Sequence, residues 1–299
     1  MIVPDRRGPG PGGNDKAGSP DRQNFLRRTA SALVLAPLAL GAAFLGGWIF
    51  AALCILTAAA VLWEWSMLVT GGADWRILAP GLPALCAAGM LAQGGAPGLA
   101  CAAVALGAMA AALASTAAAQ HGHRSIGAMV WAAAGIIYAA IVLMSPIMLR
   151  SDPQIGFTAL AFLFATVWAT DIFAYFAGRG LGGPLLAPRL SPKKTWTGAV
   201  GGLAGGVVAG GLVAYASAGT QPLAAGVLAL ILSIAAQGGD LLESSVKRRF
   251  GAKDTSALIP GHGGVMDRVD GFLVAALIAV AIGALRFGAA APARGLLVW

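Results

Sequence analysis

Nine apolar stretches run through this chain of 299 residues, most of them as long as a bilayer is thick. A hydrocarbon core of about 30 Å needs about 20 helical residues at about 1.5 Å each. The stretches lie at 29–47, 48–69, 77–95, 97–118, 125–149, 155–178, 197–218, 221–242 and 270–289. In lipid, every backbone N–H and C=O must be satisfied within the protein, so such stretches are helices. The expected fold is an all-α polytopic integral membrane protein with about nine transmembrane helices, eight or ten remaining open, and two longer cytoplasmic loops. Composition agrees. Some 58% of the residues are hydrophobic and 11% are charged, against roughly 25% charged in a soluble domain. This excludes a disordered chain, a collagen and a disulfide scaffold, and argues against a soluble enzyme. Glycines crowd the stretch 198–211, which predicts close helix contact through small residues. Cys54, Cys86 and Cys101 lie in apolar segments with no CxxC pair and read as core residues.

The formal charge of +8 invites a nucleic-acid reading until its distribution is examined. With the N-terminal arm in the cytoplasm, nine spans put seventeen of the twenty Lys and Arg residues on that side. Only Arg150, Arg286 and Arg294 fall on the other. Such a bias is the signature of the positive-inside rule. The charge is therefore chiefly a topology signal, and no nucleic-acid partner is expected. Residues 1–28, rich in Pro, Gly and basic residues, read as a disordered basic cytoplasmic arm. Residues 29–150 read as N-terminal transmembrane helices and 151–299 as a C-terminal catalytic transmembrane region.

Acids inside apolar segments are costly and mark function. Glu64 stands between Trp63 and Trp65, Asp171 follows Trp168-Ala169-Thr170, and Asp240 and Glu243 end the eighth stretch. For Glu64 the plainer reading is an interfacial acid, since Trp favours interfaces. On a continuing helix Asp240, Glu243 and Lys247 share one face. Lys253 and Asp254 follow, then His262 with Gly263 and Gly264, which permit close approach of backbone to a ligand. Asp267, Arg268 and Asp270 open the last stretch. Carboxylates suit Mg²⁺, which usually retains substrate phosphate oxygens, and Lys and Arg neutralise phosphate. The combination describes phosphoryl or nucleotidyl transfer. The other long loop contributes Arg179 in a Gly-rich turn, then Ser191, Lys193 and Lys194, without a Walker A pattern. By themselves the two lysines read equally as a juxtamembrane contact to anionic lipid.

These residues carry a family resemblance. Ser244, Lys247, Arg248, Lys253, Asp254, Ser256, Pro260, His262, Gly263, Gly264, Asp267, Arg268 and Asp270 occupy the fixed positions of a long C-terminal signature. Asp171 to Arg179 and Ser191 to Thr195 also look like the same family. The chain thus closely resembles the phosphatidate cytidylyltransferases, or CDP-diacylglycerol synthases, over residues 165–272. It departs from their pattern at Thr197, where a Glu is expected, and near Gly183, where a basic residue is expected. The resemblance implies a multi-pass enzyme of the cell inner membrane with its active site facing the cytoplasm. It would transfer CMP from CTP to phosphatidate, giving CDP-diacylglycerol and pyrophosphate. It implies Mg²⁺, is compatible with a second cation such as K⁺, and allows a homodimer. Asp240 and Asp267 are then the metal-binding acids. Lys247, Arg248, Lys253 and Arg268 are phosphate clamps, and Lys193 and Lys194 complete a cationic wall. His262, Gly263 and Gly264 shape a phosphate or nucleotide pocket. Ser191, Arg179, Asp171 and Asp254 are further substrate-binding candidates. The competing readings are a CTP-dependent polyprenol or lipid kinase and, more remotely, a transporter.

Overall fold

A computed structural model describes residues 34–117, 123–217, 221–256, 258 and 263–299. The arm 1–28 and His262 lie outside the described residues. The described chain is helical apart from one hairpin. Its helices are α1 (Val34–Leu45), α2 (Gly47–Thr70), α3 (Trp75–Gln93), α4 (Pro97–Ala117), α5 (His123–Arg150) and α6 (Gly156–Leu181). After the strands β1 (Leu185–Ala187) and β2 (Ser191–Thr195) come α7 (Trp196–Tyr215), α8 (Pro222–Arg249), α9 (Met266–Phe287) and α10 (Pro292–Leu297). Eight of these, α2 to α9, are long and apolar enough to cross a membrane. The described part of α1 has twelve residues, short of a span. Elsewhere each apolar stretch becomes one helix. The largest difference is α8, which runs on to Arg249 rather than stopping near 242. Its charged last turns satisfy their backbone within the helix and carry the acids and lysine of the site. The antiparallel β1–β2 hairpin pairs Leu185 with Thr195 and Ala187 with Ser191, and was not foreseen.

The break between α1 and α2 rests on glycine. Gly46 and Gly47 have φ of 65° and 56°, where L side chains are strained. A Cβ on Gly46 would meet the Arg150 guanidinium at 2.5 Å. Arg150 donates to the carbonyls of Ala43 (2.6 Å) and Phe44 (3.1 Å), so a cation serves the orphan carbonyls at the end of α1. The Gly-rich face of α7 packs against α6 as expected. A Cβ on Gly202 would stand 2.8 Å from the Thr170 carbonyl, leaving no room for any larger residue.

The core lies among α2, α3, α5 and α6, where Leu62, Ile77, Leu85, Ile136, Leu143, Leu160 and Phe162 are fully buried. Large apolar residues such as Leu56, Val208 and Leu212 point outward, as lipid-facing helices require. The turns fall at two ends of the bundle. One end gathers the α1–α2 and α5–α6 turns and α10. The other gathers the α2–α3 turn, the hairpin and the α8–α9 loop, and with them nearly every charged residue of the signature.

Candidate active site

The site forms where α8 and α9 converge. A Cβ on Gly239 would lie 2.5 Å from the Asp270 carbonyl and 3.2 Å from the Gly271 Cα. The two helices therefore touch through glycine, and the acids beside those glycines are brought together. Carboxylate oxygens of Asp240, Glu243 and Asp270 all lie within 4.8 Å of one another. Glu243 is fully buried. Its Oε2 accepts from Lys247 Nζ at 2.9 Å, while its Oε1 accepts no hydrogen bond from the described groups. Asp270 Oδ1 accepts from its neighbour's amide, Gly271 N, at 2.7 Å. Asp240 is ion-paired with Lys194 of β2, and Ser244 Oγ donates to it at 3.4 Å. Three clustered carboxylates repel one another unless cations or protons intervene. Hard oxygen donors with one buried lone pair unserved fit a divalent cation such as Mg²⁺.

Asp267 occupies a different position from the expected metal pair with Asp240. Its Oδ1 accepts from Lys247 Nζ at 2.7 Å. Its Oδ2 accepts from Gly264 N (2.8 Å), Thr255 Oγ1 (2.9 Å) and Thr255 N (3.2 Å). Lys247 thus bridges Glu243 of the acid cluster to Asp267 of the loop. The shared helix face read from sequence is present, in the Glu243–Lys247 contact four residues apart.

The family follows from comparison with known proteins. The family model described as the cytidylyltransferase family matches residues 26–285. The chain belongs to the cytidylyltransferase family. Among the curated proteins it is similar to phosphatidate cytidylyltransferase of Brucella suis, 57% identical over 155 residues, covering 52% of this chain and 57% of that one. It is also similar to the proteins of that name from Haemophilus influenzae, 43% identical over 129 residues (42% and 45% of the two chains), and Bacillus subtilis, 40% over 130 residues (42% and 47%). The matched region spans about half the length of these relatives.

In this family member the remaining candidates are arranged as follows. Lys194 reaches the acid cluster through its pair with Asp240, while Lys193 beside it is exposed on β2. Ser191 pairs with Ala187 in the hairpin. Arg248 donates to the carbonyls of Leu190 (3.3 Å) and Ala252 (3.0 Å), bracing α8 against the hairpin loop. Lys253, Asp254 and Arg268 are exposed at the same end. Arg179 is exposed at the end of α6, 3.3 Å from the Tyr175 hydroxyl. Asp171, exposed on α6, interacts electrostatically with Asp270, Asp240, Lys194 and Arg268. Gly263 and Gly264 approach the protein's own carboxylates. A Cβ on Gly264 would meet Thr255 Oγ1 at 2.1 Å and Glu64 at 2.7 Å, and one on Gly263 would meet Asp267 Oδ2 at 2.9 Å. The two departures from the family pattern touch each other. Thr197 Oγ1 is bonded to the Gly182 carbonyl, and a Cβ on Gly183 would lie 3.1 Å from the Thr197 methyl.

Glu243 and Asp270, not grouped with Asp240 as candidate metal ligands in the sequence reading, stand beside it in the structure, and Glu64, whose plainer reading was interfacial, is buried. The heptad-like spacing of Asp240, Glu243 and Lys247 was the available signal for Glu243. Nothing local in the sequence signals the partners of Glu64, because they lie about two hundred residues away.

Proposed function

We propose that this chain transfers CMP from CTP to phosphatidate, giving CDP-diacylglycerol and pyrophosphate, at the cytoplasmic face of a bacterial inner membrane. The observation that carries this reading is the acid cluster of Asp240, Glu243 and Asp270, set against Lys194 and Lys247 at one end of an apolar bundle. The names of the relatives supply the substrates. A phosphate oxygen of the lipid attacks the α-phosphorus of CTP. The bond from that phosphorus to the bridging oxygen breaks, and pyrophosphate leaves with the electron pair. A phosphate anion is already a competent nucleophile, so no covalent enzyme intermediate is required.

Asp240, Glu243 and Asp270 would hold Mg²⁺; Asp267 joins them only by giving up Lys247. When bound, the ion neutralises phosphate charge and polarises the phosphoryl group. Lys194 and Lys247 bind phosphate oxygens as they exchange carboxylate partners for substrate, and Lys193, Lys253 and Arg268 extend the cationic surface. Arg248 holds the hairpin, and so Lys194, against α8. Phosphatidate stays in the bilayer and CTP arrives from the aqueous side, so a site at the membrane end of α8 and α9 serves both. A homodimer belongs to the same reading, and mass measurement in detergent tests it.

The deciding experiment incubates purified protein with phosphatidate, Mg²⁺ and CTP labelled at the α or the γ phosphate. Label reaching lipid from the α position alone is the expected result. Transfer from the γ position identifies a lipid kinase and overturns the reading.

A further inference from the structure

Glu64 is fully buried, yet it belongs to α2 in the half of the chain outside the signature. Its carboxylate reaches the start of α9. Glu64 Oε2 accepts from Met266 N at 2.7 Å and Oε1 from Val265 N at 2.9 Å. Oε1 also accepts from Ser256 Oγ at 2.6 Å, and Oε2 lies 3.4 Å from Thr255 Oγ1. The first N–H groups of a helix lack intrahelical partners and favour negative charge. The residue at the N-cap position of α9, Val265, offers no side-chain cap. Glu64 fills that role from a distant helix.

The contacts continue from there into the site. Thr255, beside Glu64, donates from its hydroxyl and its amide to Asp267 Oδ2. Asp267 Oδ1 holds Lys247, and Lys247 holds Glu243 of the acid cluster. Gly264 is pinned in the same knot, with no space for a Cβ between Thr255 and Glu64. A carboxylate on α2 therefore holds Thr255, Ser256, Gly264 and Val265 against the start of α9, and with them the direction of Asp267 and Lys247.

We propose that Glu64 is a positioning residue for the nucleotidyl transfer. It locks the signature loop onto the start of α9, so that Asp267 and Lys247 face the acid cluster. This inference rests on the reading of the chain as a phosphatidate cytidylyltransferase. On this account the N-terminal helices supply part of the site's geometry and not only a membrane anchor.

The test uses the full chain in detergent with Glu64→Gln, Glu64→Asp and Ser256→Ala. Glutamine keeps the size but loses one acceptor oxygen and turns an NH₂ toward amide donors. Two measurements are made on each variant. The first is amide hydrogen exchange of residues 263–267 without substrate or metal. The second is the steady-state kinetics of CMP transfer. In Glu64→Gln, exchange at Val265 and Met266 should accelerate while the rest of α9 stays protected. The kcat should fall about 10- to 100-fold, as on loss of an outer-shell partner, with the KM for phosphatidate unchanged. Glu64→Asp, which keeps the charge, should recover part of that kcat. Ser256→Ala leaves α2 untouched and should show a smaller loss of the same kind, so the proposal stays testable if Glu64→Gln does not fold. Normal kcat in Glu64→Gln, whether or not exchange accelerates, overturns the proposal and makes the contact a structural cap alone. So does an unchanged Ser256→Ala when Glu64→Gln is unfolded. Failure of the wild-type protein to move α-label into lipid refutes the functional reading instead, and the exchange result then stands by itself.

Discussion

At the scale of single residues, the site separates carboxylates by what surrounds them. Asp240 stands beside two other acids and is relieved by Lys194, whereas Asp267 is served by a lysine, a hydroxyl and two amides. Loss of charge should therefore act differently at the two positions. Asp240→Asn removes like-charge repulsion along with an oxygen of the proposed metal site. It should lower CMP transfer by at least about a hundredfold and leave the melting temperature in metal-free detergent unchanged or higher. Asp267→Asn should also lose activity, but its melting temperature should drop, because buried hydrogen bonds to a charged group are broken. Parallel activity and thermal-shift measurements check both. Equal thermal behaviour of the two variants contradicts this division of roles. Asp240 and Asp267 were both legible in the sequence as candidate site acids, through their placement at membrane ends and within the signature. Their separate environments were not, since these depend on side chains from β2, α8 and the loop.

At the scale of elements, close approach and clasping decide the geometry. The contact of α8 with α9 depends on Gly239, whose missing Cβ leaves room for the Asp270 carbonyl. Gly239→Val should push the helices apart and destabilise the protein by about 1–3 kcal/mol, the usual range for overpacking. Activity should fall further than stability alone accounts for, because Asp240 and Asp270 lie beside the contact. Comparing activity per folded molecule with that of Gly238→Ala, where a Cβ meets nothing, provides the check.

The opposite end of the bundle has its own clasp. Arg294 of α10 donates to Asp152 Oδ2 at 2.6 Å and to Gln154 Oε1 at 3.0 Å. Burial raises the Asp152 carboxyl, but the Arg294 hydrogen bond, the Ile155 and Gln154 amides and the guanidinium charge outweigh it and hold the carboxyl below its usual range. A group with a lowered folded value stabilises the fold above its unfolded pKa and loses that contribution as pH falls through the folded value. Asp152→Asn should therefore melt below wild type at pH 7, and the gap should close below about pH 4. A gap that persists at low pH rules out the ionised pair as its source. The expected spans and their order were legible because hydropathy and length act locally. The hairpin and α10 depend on contacts that local composition does not encode, whereas the extension of α8 showed only as the shared face of Asp240, Glu243 and Lys247 on a continuing helix.

For the whole molecule, the charge distribution and the position of the site make one joint prediction about sidedness. Among the described residues, Arg189, Lys193, Lys194, Arg248, Lys253 and Arg268 lie with the acid cluster at the end formed by the hairpin and the α8–α9 loop, while Arg150, Arg286 and Arg294 lie at the other. In a chain whose three cysteines are replaced by serine, Arg189→Cys in the hairpin turn should react with an impermeant thiol reagent only from the cytoplasmic side. Gln221→Cys, exposed at the start of α8, should react only from the other side. The reverse pattern contradicts the proposed orientation.

Membrane class, the approximate spans and most of the candidate site residues were legible in the sequence alone. Lipid imposes a minimum apolar length, tolerates few buried charges and biases Lys and Arg to one side, and each constraint is visible in a linear chain. Tertiary structure alone decided which acids share a cluster, which one faces Lys247, and that Glu64 caps α9. Those outcomes turn on how closely two glycine-faced helices approach and on which distant donors a buried carboxylate finds. Neither is set by neighbours in the chain.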